Sequence, residues 1–178
     1  EAGGNGLLPT SSTTAMVAMG DALVVAYLEL HGFKDEVFAH NHPGGSLGRK
    51  MLTTIGDLMH TGEQGPIVYE NSDLSVIISE MTQKRLGVTL ITNKKKQLKG
   101  IITDGDLRRM IEDKKDISKI RALDLSKSFP KWLEQNNLAT KAVQLMEKYS
   151  ITSLVVSTNG KKIDGIIHLH DLLKAGII

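Results

Sequence analysis

Apolar positions along this chain change their spacing in an order that occurs twice. Residues 15–30 are apolar nearly all round a helical projection (Met16, Val17, Met19, Leu23, Val24, Val25, Leu28), the pattern of a helix enclosed by a larger domain. The hydroxyls of residues 10–14 suit a helix start, and His31-Gly32 stops the helix with glycine in the C-cap position. Ser46-Leu47-Gly48-Arg49-Lys50 restarts a helical turn, and residues 55–59 read as a short helical lead-in. Residues 66–69 then predict a strand, Ser72-Asp73 caps a helix to Lys84, and residues 88–92 and 98–103 predict a hairpin. A helix follows over residues 105–113. The second round predicts a helix over residues 139–149, a hairpin of 153–157 with 163–168 turned by Asn159-Gly160, and a closing element at 171–175. Phe129-Pro130-Lys131-Trp132 stands in place of the first round's strand, with Trp132 expected in packing or at an interface.

The repeat is visible residue by residue. Gly100-Ile101-Ile102-Thr103-Asp104-Gly105-Asp106-Leu107 returns as Gly165-Ile166-Ile167-His168-Leu169-His170-Asp171-Leu172, and Asp57-Leu58 matches Asp124-Leu125. Two copies of one βαββα unit are therefore expected. Each copy ends a β run on a polar residue, places an Asp three positions on, and enters a helix. That order sets backbone N–H groups at a helix N-terminus, where anions bind, beside an acid able to accept from ribose hydroxyls. Thr103 and Asp106 make the complete version; in the second, His168 replaces the hydroxyl while Asp171 remains. The alternative is that Thr103 ends a strand, Asp106 caps a helix, and the module serves assembly alone.

Composition narrows the options. Each copy of about sixty residues is too small to bury much core by itself, so the two are expected to pack as one pseudo-symmetric module. A hydrophobic fraction of 40% and a charged fraction of 24% are ordinary for a globular protein. The formal net charge is +2, which supplies no strong field for nucleic acid; Lys94-Lys95-Lys96 and Lys161-Lys162 fall at hairpin turns. Without cysteine there is no disulfide or thiol chemistry, which fits a cytoplasmic protein. No membrane-spanning run and no signal peptide are expected. His40-Asn41-His42 and His168-Leu169-His170 each place two imidazoles on one face of an extended segment, as zinc ligands can lie. Beyond Asp171 neither has a Cys, Asp or Glu at ligand spacing, so no metal is expected. The chain opens on Glu1 and is expected to be the C-terminal part of something longer.

The G-x-x-T-x-x-D turn within a repeated βαββα unit resembles the CBS domain, which occurs in tandem pairs. Gly6-Leu7-Leu8-Pro9-Thr10-Ser11-Ser12-Thr13-Thr14, Met19-Gly20-Asp21-Ala22-Leu23, His42-Pro43-Gly44-Gly45-Ser46-Leu47-Gly48-Arg49, Asp57-Leu58-Met59-His60-Thr61-Gly62 and Thr103-Asp104-Gly105-Asp106-Leu107-Arg108-Arg109 are similar, together with residues 168–176, to the arabinose-5-phosphate isomerase family. That family joins a sugar-isomerase (SIS) domain to a CBS pair and interconverts ribulose 5-phosphate and arabinose 5-phosphate on the way to Kdo and lipopolysaccharide. The resemblance implies an α+β and α/β fold class: residues 1–50 as the C-terminal helices of a SIS α/β domain, 51–117 as CBS repeat 1 and 118–178 as CBS repeat 2. It makes His42 a catalytic residue of the parent enzyme, with bracing of the Pro-Gly-Gly turn as the other reading. It offers Thr10, Ser11 and Ser12 for the substrate phosphate, with plain helix capping as the other reading. It makes Thr103, Asp106, His168 and Asp171 nucleotide-binding positions. No cofactor is implied as required, but an adenine nucleotide or CMP-Kdo is implied as a regulatory ligand. The implied partners are a phosphosugar and further copies of the chain, as homodimer or homotetramer, with neither nucleic acid nor membrane.

Overall fold

Arg85 (φ 58°) and Ser150 (φ 52°) stand in the left-handed region and end two helices at matching places in the two copies. Neither is glycine, so each helix stop is held by its surroundings and not by backbone freedom. The computed structural model describes residues 1–2, 5–33, 37, 45–113, 119–126 and 128–178. Two helices, α1 (Ser11–Leu30) and α2 (Ser46–Leu52), precede the copies. The first copy comprises β1 (Ile67–Tyr69), α3 (Leu74–Lys84), β2 (Val88–Thr92), β3 (Leu98–Thr103) and α4 (Asp104–Glu112). A short helix, α5 (Ala122–Leu125), leads into β4 (Trp132–Leu133), α6 (Ala139–Tyr149), β5 (Ser153–Val156), β6 (Gly165–His168) and α7 (Leu169–Lys174).

Both copies form the same three-stranded sheet, β1-β2-β3 and β4-β5-β6, with the first pair parallel and the second antiparallel. Val88 pairs with Thr103 in one and Ser153 with His168 in the other, so the two G-x-x-(T/H) turns occupy the same register. The Phe-Pro-Lys-Trp segment does not replace a strand, as its composition suggested: Trp132 and Leu133 pair in parallel with Val155 and Val156. Pro130 lacks a donor and simply delays the pairing. Residues 55–59 are a turn and not a helix, because the Asp57 carboxylate accepts from Thr54 N and Oγ1 at 2.8 and 2.7 Å and closes the segment on itself.

The packing crosses the copies. Ile55, fully buried, lies in a core with Leu133, Ala142, Met146, Leu154 and Ile167 of the second copy, and Leu58 and Met59 pack against it. In exchange, Ile120, Ala122 and Leu125 join Val68, Ile77, Met81, Ile91 and Ile102 of the first. A third cluster of Val88, Leu90, Leu98, Val155 and Ile166 lies between the sheets. Each lead-in thus completes the other copy's core. At roughly 1.5–3 kcal/mol for each fully buried large side chain, the exchanged residues hold the halves together.

α1 departs from expectation. Its pattern is that of a helix enclosed by a larger domain, yet no residue of it is buried, and Met16, Leu23, Val24 and Tyr27 are each more than half exposed. Contrary to the sequence reading, this 20-residue helix is also long and apolar enough to cross a membrane by length and composition. Its alanines, together with Val and Leu, raise the average although Asp21 and Glu29 interrupt the run.

Candidate nucleotide cleft

The site begins at the end of β3, where Thr103 leaves the sheet in extended conformation and becomes the N-cap of α4. The helix therefore starts at Asp104, one residue before the sequence-based boundary, and Asp106 is its third residue and not its cap. The Asp106 carboxylate accepts from Thr103 N at 2.9 Å and from Thr103 Oγ1 at 2.6 Å, while Thr103 Oγ1 accepts from Asp106 N at 3.3 Å. This reciprocal capping box fixes both side chains that the sequence singled out. Arg109, one turn on, donates from Nη2 to Asp106 Oδ1 at 2.5 Å. Burial opposes charge on Asp106, but the hydrogen bonds from Thr103 and Arg109 outweigh it and hold the acid below the usual carboxylate range.

Thr103, Asp106 and Arg109 line a cavity of about 560 Å³ between the copies. Val88 and Ile101 extend its wall; the second copy brings Phe129, Pro130, Lys131, Tyr149 and residues 150–153. Lys131 Nζ lies 4.5 Å from the centroid of the Tyr149 ring. The cavity thus combines an apolar wall with two cations and one carboxylate. That set suits a ligand with a flat apolar part, vicinal hydroxyls and an anionic group.

The second turn is built alike but bonded differently. His168 N donates to Asp171 Oδ2 at 3.0 Å, and His168 Nδ1 accepts from His170 N at 3.1 Å. The rings of His168 and His170 stack with centroids 5.3 Å apart. Burial holds His168 below the ordinary imidazole value, with His170 and His60 adding to the effect and Asp171 opposing it. His168 and His170 face a separate cavity of about 460 Å³ with Arg85, Gly87, Thr103 and Thr152. Asp171 instead meets His60, whose Nε2 lies 3.0 Å from Asp171 Oδ2. Among the described residues, no group of three His, Cys, Asp or Glu is placed to hold a metal ion.

The remaining predicted positions lie elsewhere. His42 and His40 are outside the described residues. Thr10 is the N-cap of α1 without a side-chain cap bond. Its N–H and hydroxyl, with Ser12 N, donate to the Glu1 carboxylate at 2.5, 3.1 and 3.4 Å. The Ser12 side chain and these Thr10 and Ser12 contacts draw Glu1 down to about 2, and Ser11 shows none of these bonds. The capping role foreseen for the hydroxyls is thus taken by a carboxylate at the helix N-terminus. The sequence reading missed Lys131 and Tyr149 as cavity residues: a Lys after Pro and a Tyr at a helix end read as ordinary surface. Their signal was positional, since Tyr149 stands one repeat after Lys84.

Comparison with known proteins identifies this architecture. The description "CBS domain" matches residues 55–113 and 124–177. The chain is 44% identical over 173 residues to arabinose 5-phosphate isomerase KdsD of Yersinia pestis, an alignment covering 97% of this chain and 52% of that protein; the chain spans about half the length of the curated relatives it matches. Two solved structures share the fold. CBSX2 in complex with AMP has a TM-score of 0.62 at 20% identity, covering 70% of this chain and 96% of that one. CBS domain protein PAE2072 from Pyrobaculum aerophilum, complexed with AMP, has a TM-score of 0.59 at 19% identity, covering 67% and 89%.

Proposed function

This chain belongs to the CBS domain family, and from that premise we propose that the Thr103–Asp106 cleft binds a nucleotide and that the pair regulates a sugar-phosphate isomerase. The observation that carries this reading is the cavity itself: Asp106, a half-buried carboxylate, beside Arg109 and Lys131 under an apolar wall. Asp106 accepts the ribose hydroxyls. Arg109, half exposed, swings from Asp106 to the phosphate and frees the carboxylate edge it now holds. Thr103 has its hydroxyl proton engaged by Asp106, so it orients the acid first and meets phosphate through the N–H groups that open α4. The AMP held by the CBSX2 and PAE2072 structures makes an adenine nucleotide the first ligand to try; CMP-Kdo is the second.

The similarity to the Yersinia isomerase supports the parent activity; on this reading residues 1–50 belong to the catalytic SIS domain, and residues 51–117 and 118–178 form the regulatory pair. Aldose–ketose exchange moves a proton between adjacent carbons through an enediol. His42 serves there as a base or acid, an imidazole being suited to that work near neutral pH. Thr10, Ser11 and Ser12 receive the substrate phosphate at the start of α1, in the place where the Glu1 carboxylate now sits. The protein works in the cytoplasm as a homodimer or homotetramer, and the exposed apolar side chains of α1 favour such association.

Calorimetric titration with AMP, ATP and CMP-Kdo tests the nucleotide reading. Binding by the wild type that falls at least tenfold in Asp106→Ala supports it. Binding unchanged by that substitution removes the cleft from the account, and no binding of any of the three leaves the pair with assembly as its role.

A further inference from the structure

The second cleft is shaped by the same repeat, and its key groups are already engaged by residues of the chain itself. Asp171 is the counterpart of Asp106, and Lys84 the counterpart of Tyr149. His60 Nε2 lies 3.0 Å from Asp171 Oδ2, a contact between residues 111 apart in the chain. With Asp171 ionised, that bond requires the tautomer carrying its proton on Nε2. Lys84 Nζ donates to the carbonyl of Glu63, three residues beyond His60. The counterparts of two residues that line the open cavity, Asp106 and Tyr149, are therefore both engaged by residues 60–63.

The plug is anchored through its backbone. His60 N donates to Ile166 O at 2.8 Å and Ile166 N donates to His60 O at 3.0 Å, an added bridge on β6. Gly165 permits it: a β-carbon there would lie 2.8 Å from His60 O and 2.9 Å from Met59 Sδ. In the first copy the corresponding crossing is made by Ser126 against Gly100, with the Ser126 hydroxyl accepting from Ile101 N at 3.3 Å. Asp106 there takes its bonds from Thr103 and Arg109, residues of its own turn and helix. At Asp171 Oδ2 the His60 imidazole takes the place that the Thr103 hydroxyl takes at Asp106 Oδ2, but it reaches there from the lead-in, across the space where a ligand would lie.

We infer that His60 closes the Asp171 cleft to ligand, so that each chain holds one nucleotide, in the Thr103–Asp106 cleft. This rests on the nucleotide reading above. His60 is a specificity-determining residue of the pair: it decides which of two similar clefts is open.

The test is the stoichiometry of AMP binding by calorimetry on the whole chain, with wild type, His60→Ala and Asp171→Asn. The alanine keeps the backbone bridge, and melting curves confirm that each variant folds. Wild type is expected to bind one AMP per chain, Asp171→Asn to bind it within twofold of wild type, and His60→Ala to gain a second, weaker class of sites. Two AMP per wild-type chain, a tenfold loss in Asp171→Asn, or a stoichiometry of one in His60→Ala overturns the inference while leaving the nucleotide reading intact. No AMP binding by wild type overturns both.

Discussion

Gly100 lies so close against Ser126 that a β-carbon on the glycine would overlap the serine hydroxyl. The same relationship holds between Gly165 and the backbone of His60. At these two places a lead-in segment crosses the last strand of the sheet whose core it completes. Gly100→Ala and Gly165→Ala should each destabilise the pair by about 1–3 kcal/mol, as overpacking does. Gly165→Ala should be the worse, since a carbonyl cannot rotate away as a hydroxyl can. Urea midpoints measure this. Gly20→Ala in α1, where the β-carbon meets open space, should leave the pair's midpoint unchanged.

Ile55→Ala should cost about 2–5 kcal/mol, because the side chain is fully buried in the core of the copy it does not belong to in sequence. Unfolding should remain one transition by fluorescence of Trp132 and by circular dichroism alike, since each lead-in ties the copies together. Separate transitions would contradict the exchange.

Much of this arrangement could be read from the chain, and the parts that could not share one cause. The short apolar runs ending at Thr103 and His168 and the capped start at Asp73 located the strands and α3 because those signals are local. The exchange of Ile55 against Leu125 was hidden, since an apolar position announces burial without naming its partner. His60 was hidden for the same reason: nothing near it in sequence points to Asp171. Arg109 was in view within its motif but became a site residue only when the helix placed it one turn after Asp106. For α1 the apolar circumference reads as burial, whereas among the described residues nothing encloses it.

Stability should depend on pH through His168. Its folded value is held below the ordinary imidazole value, chiefly by burial. The unfolded chain therefore takes up the proton first, near pH 6.5. The contribution is fully present above that pH and is lost as pH falls through the folded value. Urea midpoints at pH 7.5 and 5.5 should differ more for wild type than for His168→Gln. Equal differences would remove His168 from the effect.

His42→Ala in the longer protein should abolish interconversion of arabinose 5-phosphate and ribulose 5-phosphate, measured in both directions, as loss of the group that moves the proton would. Turnover near that of the wild type would take His42 out of the chemistry.

The central claim is that the Thr103–Asp106 turn holds the ligand, and an amide chemical-shift titration of the chain with AMP tests it most directly. The largest shifts should fall on Thr103, Asp104, Gly105 and Asp106 and, across the cavity, on Ile151, Thr152 and Ser153, and should vanish in Asp106→Ala. Shifts centred on Asp171 and His60, or none at saturating AMP, would contradict it.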